Sequence, residues 1–427
     1  MERRWTPQEL QELIPRVLAR WPGSAALLRS RGAMERLRQA TRVDISTFEA
    51  LPSEVVMMFA EHLAPTDIQP YLEEASMRTY KEAQNNLRNF GMVSRRMNDL
   101  VRPYLYRGII VDNADRVVQL VRTLAKHRGG FGKHIKDLVL QVPFDETDGK
   151  FTVPDVSVFL SSQDEDLVTL AKCRVPNTRA YQALGKLYFQ VVKWTMNLET
   201  LAFGMALPSS GTNSANVLYL FFWKDFCGAA GSPSYFRLPT FLPKLTTVYL
   251  HGGKSSSHRP IDSDQCRRFF DIPSVQKLVC YRDEGLWYDL RPTTEHSTPV
   301  YFRVRGATNF QFRNITTIEL RESACTPLHI LDICATFPCL QALSVSTSSR
   351  LAMRGPGDPS TVSDGMYLSD GLAKLPDLKT LELDLHYSHD FSRLLGPRGV
   401  LSLQPLLGLQ TLRVPLHFLV LKQAEGG

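Results

Sequence analysis

Between Leu51 and Val111 the apolar positions follow a helical rhythm. After Leu51-Pro52-Ser53-Glu54 they fall at Val55, Val56, Phe59 and Leu63, then at Leu87, Phe90, Val93 and Val101. Spacings of three and four give each segment one buried face. Pro52 stands where a first helical turn can do without its N–H, and Glu54 lies on the positive end of the helix dipole. Pro65-Thr66 is a turn and cap signal ahead of Asp67-Ile68. The pattern predicts two or three short amphipathic helices, running into the β-prone Gly108-Ile109-Ile110-Val111. So small a unit has little interior. Its apolar residues must be shared with a neighbouring domain or a partner.

Beyond Val111 the rhythm changes. Asn113 can cap a helix carrying Val117, Leu120, Val121 and Leu124, ended by Gly129-Gly130. A six-residue phrase, apolar-x-x-apolar-x-apolar, then recurs: Ile135–Leu140, Leu198–Phe203, Leu245–Leu250, Val275–Cys280, Ile315–Leu320, Leu340–Val345, Leu378–Leu383 and Leu409–Val414. Four copies have a proline two residues upstream, at Pro243, Pro273, Pro338 and Pro376, and Ala180–Trp194 and Thr326–Phe337 read as helices. Helix, proline turn and short strand resemble a leucine-rich repeat, in which stacked units bury a column of leucines. The starts are spaced 63, 47, 30, 40, 25, 38 and 31 residues apart, far from a constant period. Gly/Ser/Pro-rich inserts at 208–216, 228–234, 252–260 and 354–365 explain much of this and read as solvent loops. The end, Pro415-Leu416-His417-Phe418, reads as cut off before a capping element.

The Leu-Pro-x-Glu opening, the helix ending near Asp67-Ile68, the Leu87-x-x-Phe90-x-x-Val93-Ser94-Arg95-Arg96 segment and the closing Pro103-Tyr104-Leu105-Tyr106-Arg107 together resemble an F-box of the fungal kind. Against the family's common spacing, Gln69 to Asn86 is an extra polar, acidic stretch, expected as a loop or short helix beside the docking surface. The expected fold class is therefore α/β, a short helical F-box-like unit followed by an irregular leucine-rich-repeat solenoid. The expected domains are a basic helical segment at 1–45, the F-box-like unit at 46–108 with its insertion at 69–86, and the repeat-like domain at 109–427.

That resemblance implies a substrate-recognition subunit of a cullin–RING ubiquitin ligase. The F-box would dock on a Skp-type adaptor and, through it, a cullin; the repeats would bind a target protein of unknown identity. Leu51, Pro52, Val55, Phe59, Leu63, Phe90 and Val93 are the expected adaptor-binding residues. If the strand phrases stack in register, the alternation of a strand turns Tyr249, His251, Lys277, Tyr281, Glu319, Arg321, Glu382, Asp384 and Arg413 outward onto one face, the expected target-binding surface.

Charge refines this only slightly. Residues 1–45 carry nine Lys/Arg against five Asp/Glu, and residues 87–136 carry eleven against three; these stretches hold +12 of a net +7, leaving −5 elsewhere. A basic N-terminal third keeps open a nucleic-acid-associated role, or a non-ligase interaction scaffold, as the alternative. The interleaved aromatics of a single-strand platform and the spacing of a zinc finger or homeodomain are missing, and outward aromatics with both signs of charge suit a protein partner better. Seven cysteines without regular spacing favour a reducing compartment, and no apolar run reaches a membrane span, so the cytoplasm or nucleus is expected. Gly252-Gly253-Lys254-Ser255 ends like a phosphate loop but lacks its first glycine, and Cys325, His329, Cys334 and Cys339 contain no close Cys-x-x-Cys pair. The sequence calls for no cofactor, no metal and no catalytic residue.

Overall fold

Leu51-Pro52 opens helix α1, Ser53–Leu63, in which Pro52 is the N-cap and supplies no side-chain cap. Helix α2 spans Glu74–Gly91 and helix α3 spans Arg95–Leu105, the latter capped by Ser94, whose Oγ accepts from the Met97 N–H at 3.2 Å. The structure, a computed structural model, describes residues 51–65, 74–111, 114–127, 130–141, 178–204, 242–251, 269–270, 272–281, 311–323, 325, 327–347, 367–385, 395, 401–404, 406–415 and 419. The expected helices of 1–45 and the four expected insert loops lie outside them, as does most of the stretch after Pro415. The chain divides into two compact units, Met1–Ile109 and Ile110–Gly427.

In the first unit, Leu51, Val55, Val56, Phe59, Ala60, Leu87, Phe90, Met97 and Val101 form one buried cluster, with Leu63, Leu100, Tyr104 and Leu105 packed against it. Phe59 of α1 meets Phe90 of α2 edge to face at 6.3 Å, a geometry that aromatic quadrupoles favour. The expectation of a short F-box-like unit with an insertion at 69–86 is corrected here. Residues 74–86 are the body of one continuous 18-residue helix that delivers Leu87 and Phe90 to the core. Tyr80 Oη and Gln84 Nε2 both donate to the Gly108 carbonyl, at 3.0 and 3.3 Å, so this helix is tied into its own unit.

From Gly108 onward the chain is built on a sheet, whose first strand begins two residues ahead of the second unit. Strands β1 (Gly108–Val111), β2 (Asp137–Gln141), β3 (Thr200–Gly204), β4 (Thr247–His251), β5 (Lys277–Tyr281), β6 (Thr317–Ser323), β7 (Ala342–Thr347), β8 (Thr380–Asp384) and β9 (Thr411–Arg413) lie side by side in chain order. Pairing is parallel from β2 through β9. Helices α4 (Ala114–Lys126), α5 (Thr178–Trp194), α6 (Pro327–Thr336) and α7 (Leu368–Leu372) occupy four of the connections. The expected irregular leucine-rich-repeat solenoid is thus corrected to an α/β fold: one nine-stranded parallel sheet, with seven α-helices among the described residues of the whole chain. The physical reason lies in the connections. The strand phrases are alike, but helices of 13, 17, 10 and 5 residues join them. Strand pairing, rather than repetition of a like unit, is what the elements share.

Each of the eight phrases carries one of the strands β2 to β9, most of them preceded by a tight turn. In Leu242-Pro243-Lys244-Leu245 the Leu245 N–H donates to the Leu242 carbonyl at 3.1 Å, and Ile272–Val275, Phe337–Leu340 and Leu375–Leu378 close in the same way. Proline fits the second place of such a turn because its φ is already set. One residue into each phrase a single carbonyl accepts two N–H groups from the next: Glu199 accepts from Thr246 and Thr247, Thr246 from Gln276 and Lys277, and Gln276 from Thr316 and Thr317. The inward row Leu138, Leu201, Val248, Leu278, Ile318, Leu343 and Leu381 is in register and buried. Each such side chain contributes about 2 kcal/mol of burial. Among the described residues no helix is long and apolar enough to cross a membrane.

Candidate functional site

The seven residues expected to meet an adaptor separate into two groups. Leu51, Val55, Phe59 and Phe90 are buried within the three-helix unit. Leu63 and Pro52 are half-buried, and Val93 is 43% exposed beside Met92 at 52%. Among the described residues of this unit, the exposed large hydrophobic side chains are thus Met92 and Val93, at the corner between α2 and α3. That corner exists because α2 ends at Gly91 and Ser94, three residues later, caps a new helix. Met92 was not among the expected residues; its signal was its place between a helix-ending glycine and a capping serine. Arg88 and Arg95 flank the pair and are exposed. Tyr104 lies near Glu61, and burial, then the Glu61 carboxylate, push its hydroxyl above the usual tyrosine range against the opposing effect of Arg107.

Tyr249, Glu319, Glu382 and Arg413 share the middle outward row of the sheet, each registered with its neighbours through Val279 and Ser344. Lys277 lies in the row before them. His251, Tyr281, Arg321 and Asp384 lie in the row after, at the strand ends. Three of the nine form one cluster: Glu319 takes salt bridges from both Lys277 and Arg321. Burial pushes the Glu319 carboxyl up, but the hydrogen bonds and charges of Lys277 and Arg321 outweigh it and hold the group below the usual carboxylate range. A second cluster joins Glu382 to Arg413 at 3.3 Å and to the Ser344 hydroxyl, which donates at 3.1 Å. Tyr281 is linked to the first cluster indirectly, its hydroxyl donating to Glu322 at 3.0 Å. Asp384 is exposed at the end of β8.

The outward face is not uniform. In the same middle row Val139, Ala202 and Val279 are buried to 1% exposure or less, and Tyr249 is half-buried between the last two. From β6 onward the row is polar and partly open. The phrases Leu138-Val139-Leu140 and Leu201-Ala202-Phe203 carry the signal for this, because unbroken apolar runs mark strands covered on both faces. At the end of β6 the register shifts between Leu320 and Ser323, and Glu322 takes a φ of 48°. A bulge of this kind turns a side chain to a new direction. Here it aims the Glu322 carboxylate at Tyr281, while the Ser346 hydroxyl of β7 accepts from the Glu322 N–H at 3.1 Å.

No family model matches the chain. No curated protein matches it either. Cys325 and Cys334 are buried and Cys339 half-buried, and none of the three is in a disulfide. Among the described residues no three His, Cys, Asp or Glu side chains are grouped to hold a metal ion.

Proposed function

We propose that the chain is a substrate receptor of a cullin–RING ubiquitin ligase, with the first unit docking on a Skp-type adaptor and the sheet of the second unit holding a target protein. The observation that carries the reading is the exposed Met92–Val93 corner. It falls within the Phe90-x-x-Val93-Ser94-Arg95-Arg96 segment on which the sequence likeness to F-box proteins rests. Adaptor contact is assigned to Pro52, Met92 and Val93, with Leu63 at its margin; Leu51, Val55, Phe59 and Phe90 shape that surface from beneath. Target contact is assigned to the polar half of the sheet face, at Lys277, Tyr281, Glu319, Arg321, Glu382, Asp384 and Arg413, with Tyr249 and His251 at its border. Such a receptor does no chemistry. It raises the local concentration of a target near the conjugating enzyme.

The test is affinity capture of the full chain from cells, with probing for cullin and adaptor. Wild-type chain is expected to bring down both, and Met92→Asp with Val93→Asp to bring down neither while the chain stays folded. Recovery of adaptor without cullin would favour a non-ligase scaffold.

A further inference from the structure

Two stretches of the proposed docking surface are far apart in sequence: the start of α1 at Leu51–Ser53 and the start of α3 at Met92–Arg95. One side chain spans them. Arg96 Nη2 donates to the Leu51 carbonyl at 2.7 Å and to the Ser53 hydroxyl at 3.1 Å, across 45 and 43 residues of chain. We infer that Arg96 is a positioning residue for adaptor docking, locking the Pro52 end of α1 to the Met92–Val93 corner so that both meet the adaptor as one preformed surface. The inference rests on the adaptor reading given above.

The chemistry of the site favours this role. Helix α1 begins without a side-chain cap, so its own N-cap residue supplies no side chain to fix the direction in which the chain enters. Leu51 is buried while its carbonyl lies before the helix, where it needs a donor from elsewhere. The fork of a guanidinium can serve two acceptors at once in fixed geometry, which a lysine ammonium does not reproduce. A cation beside the positive end of a helix dipole is unfavourable on charge alone. The two hydrogen bonds to Leu51 and Ser53 offset that cost. Arg96 itself starts from a fixed point, because the Ser94 cap anchors the first turn of α3. Interfaces assembled from preformed parts lose less freedom on binding than those that order as they bind.

The experiment measures equilibrium binding of the full chain to purified Skp-type adaptor, alongside amide hydrogen exchange of the free chain. Arg96→Ala is expected to weaken binding about tenfold. Exchange at Val55 and Val56, whose N–H groups bond to the Pro52 carbonyl at 3.0 and 3.2 Å, should quicken while the α2 core stays protected. Arg96→Lys keeps the charge and is expected to bind nearly as weakly as the alanine variant. Full affinity of the lysine variant would overturn the positioning role, since charge alone would then suffice. Weak binding that merely follows global loss of protection, in either variant, would overturn it as well. Wild-type chain that does not bind adaptor at all would defeat the docking reading, whereas binding that is equal in wild type and variants defeats only the role of Arg96.

Discussion

Asn314 shows how much one side chain can hold in this fold. It stands just ahead of β6, and its Nδ2 lies 3.1, 3.0 and 2.9 Å from the carbonyls of Phe270, Ile272 and Val275. Asn197 and Ser274 do the same work on a smaller scale, donating to Lys133 and Leu242 one connection back. Asn314→Ala leaves three part-buried carbonyls without that donor, an expected loss of about 2 kcal/mol in urea unfolding. Asn314→Asp has nearly the same shape but no donor, and should cost at least as much at neutral pH. Equal stability of all three proteins would refute the bonding role. Glu319 gives a pH test of the ion-pair cluster. Its carboxyl lies below the usual range when folded, so it stabilises the fold above the unfolded value near 4.3. That contribution disappears as pH falls through the depressed folded value. Glu319→Gln should therefore destabilise the chain at neutral pH and converge with wild type in acid. A gap that stays constant with pH would mean that charge is not the cause.

At the scale of elements, the strands were legible and their connections were not. The phrase spacing located β2 to β9 because an alternating apolar pattern with a proline turn states both the face and the start of a strand. The burial of Val139 and Val279 on the outward side was legible too, but only by letting an unbroken apolar run outweigh alternation. Over Glu74–Asn86 the sequence predicts a loop or short helix where α2 runs on without a break, because a polar surface helix carries little apolar signal until its buried end, at Leu87 and Phe90. Exposed residues such as Arg78, Lys81 and Glu82 give composition that a helix and a loop share. The correction has a measurable consequence. Joining Ile68 to Leu87 removes Glu74 to Asn86 and leaves Leu87–Gly91, a stub too short to hold helical form. The deletion should abolish the cooperative unfolding of the first unit and lower the helical circular-dichroism signal. A deletion variant as stable as wild type would restore the insertion.

At the scale of the molecule, the candidate sites were harder to read than the elements. Helical spacing tells which side of a helix is apolar, but not whether that side meets its own unit or another protein. Leu51, Val55, Phe59 and Phe90 turned inward, and Val93 stayed out with Met92. Exposure elsewhere has a plainer cause: Met196 and Leu407, 48% and 95% exposed, each take the turn position that proline holds in other phrases. Met92–Val93 is the proposed meeting point of this chain with a Skp-type adaptor. The most direct measurement is isothermal titration of purified adaptor into full-length chain and into a Met92→Asp, Val93→Asp variant. Buried interface anchors cost about 2 kcal/mol or more when lost. Wild type is expected to bind saturably and one-to-one, and the variant at least about thirty-fold more weakly, with unchanged unfolding of both units. Equal affinity of the two proteins, or no binding by wild type, would contradict it.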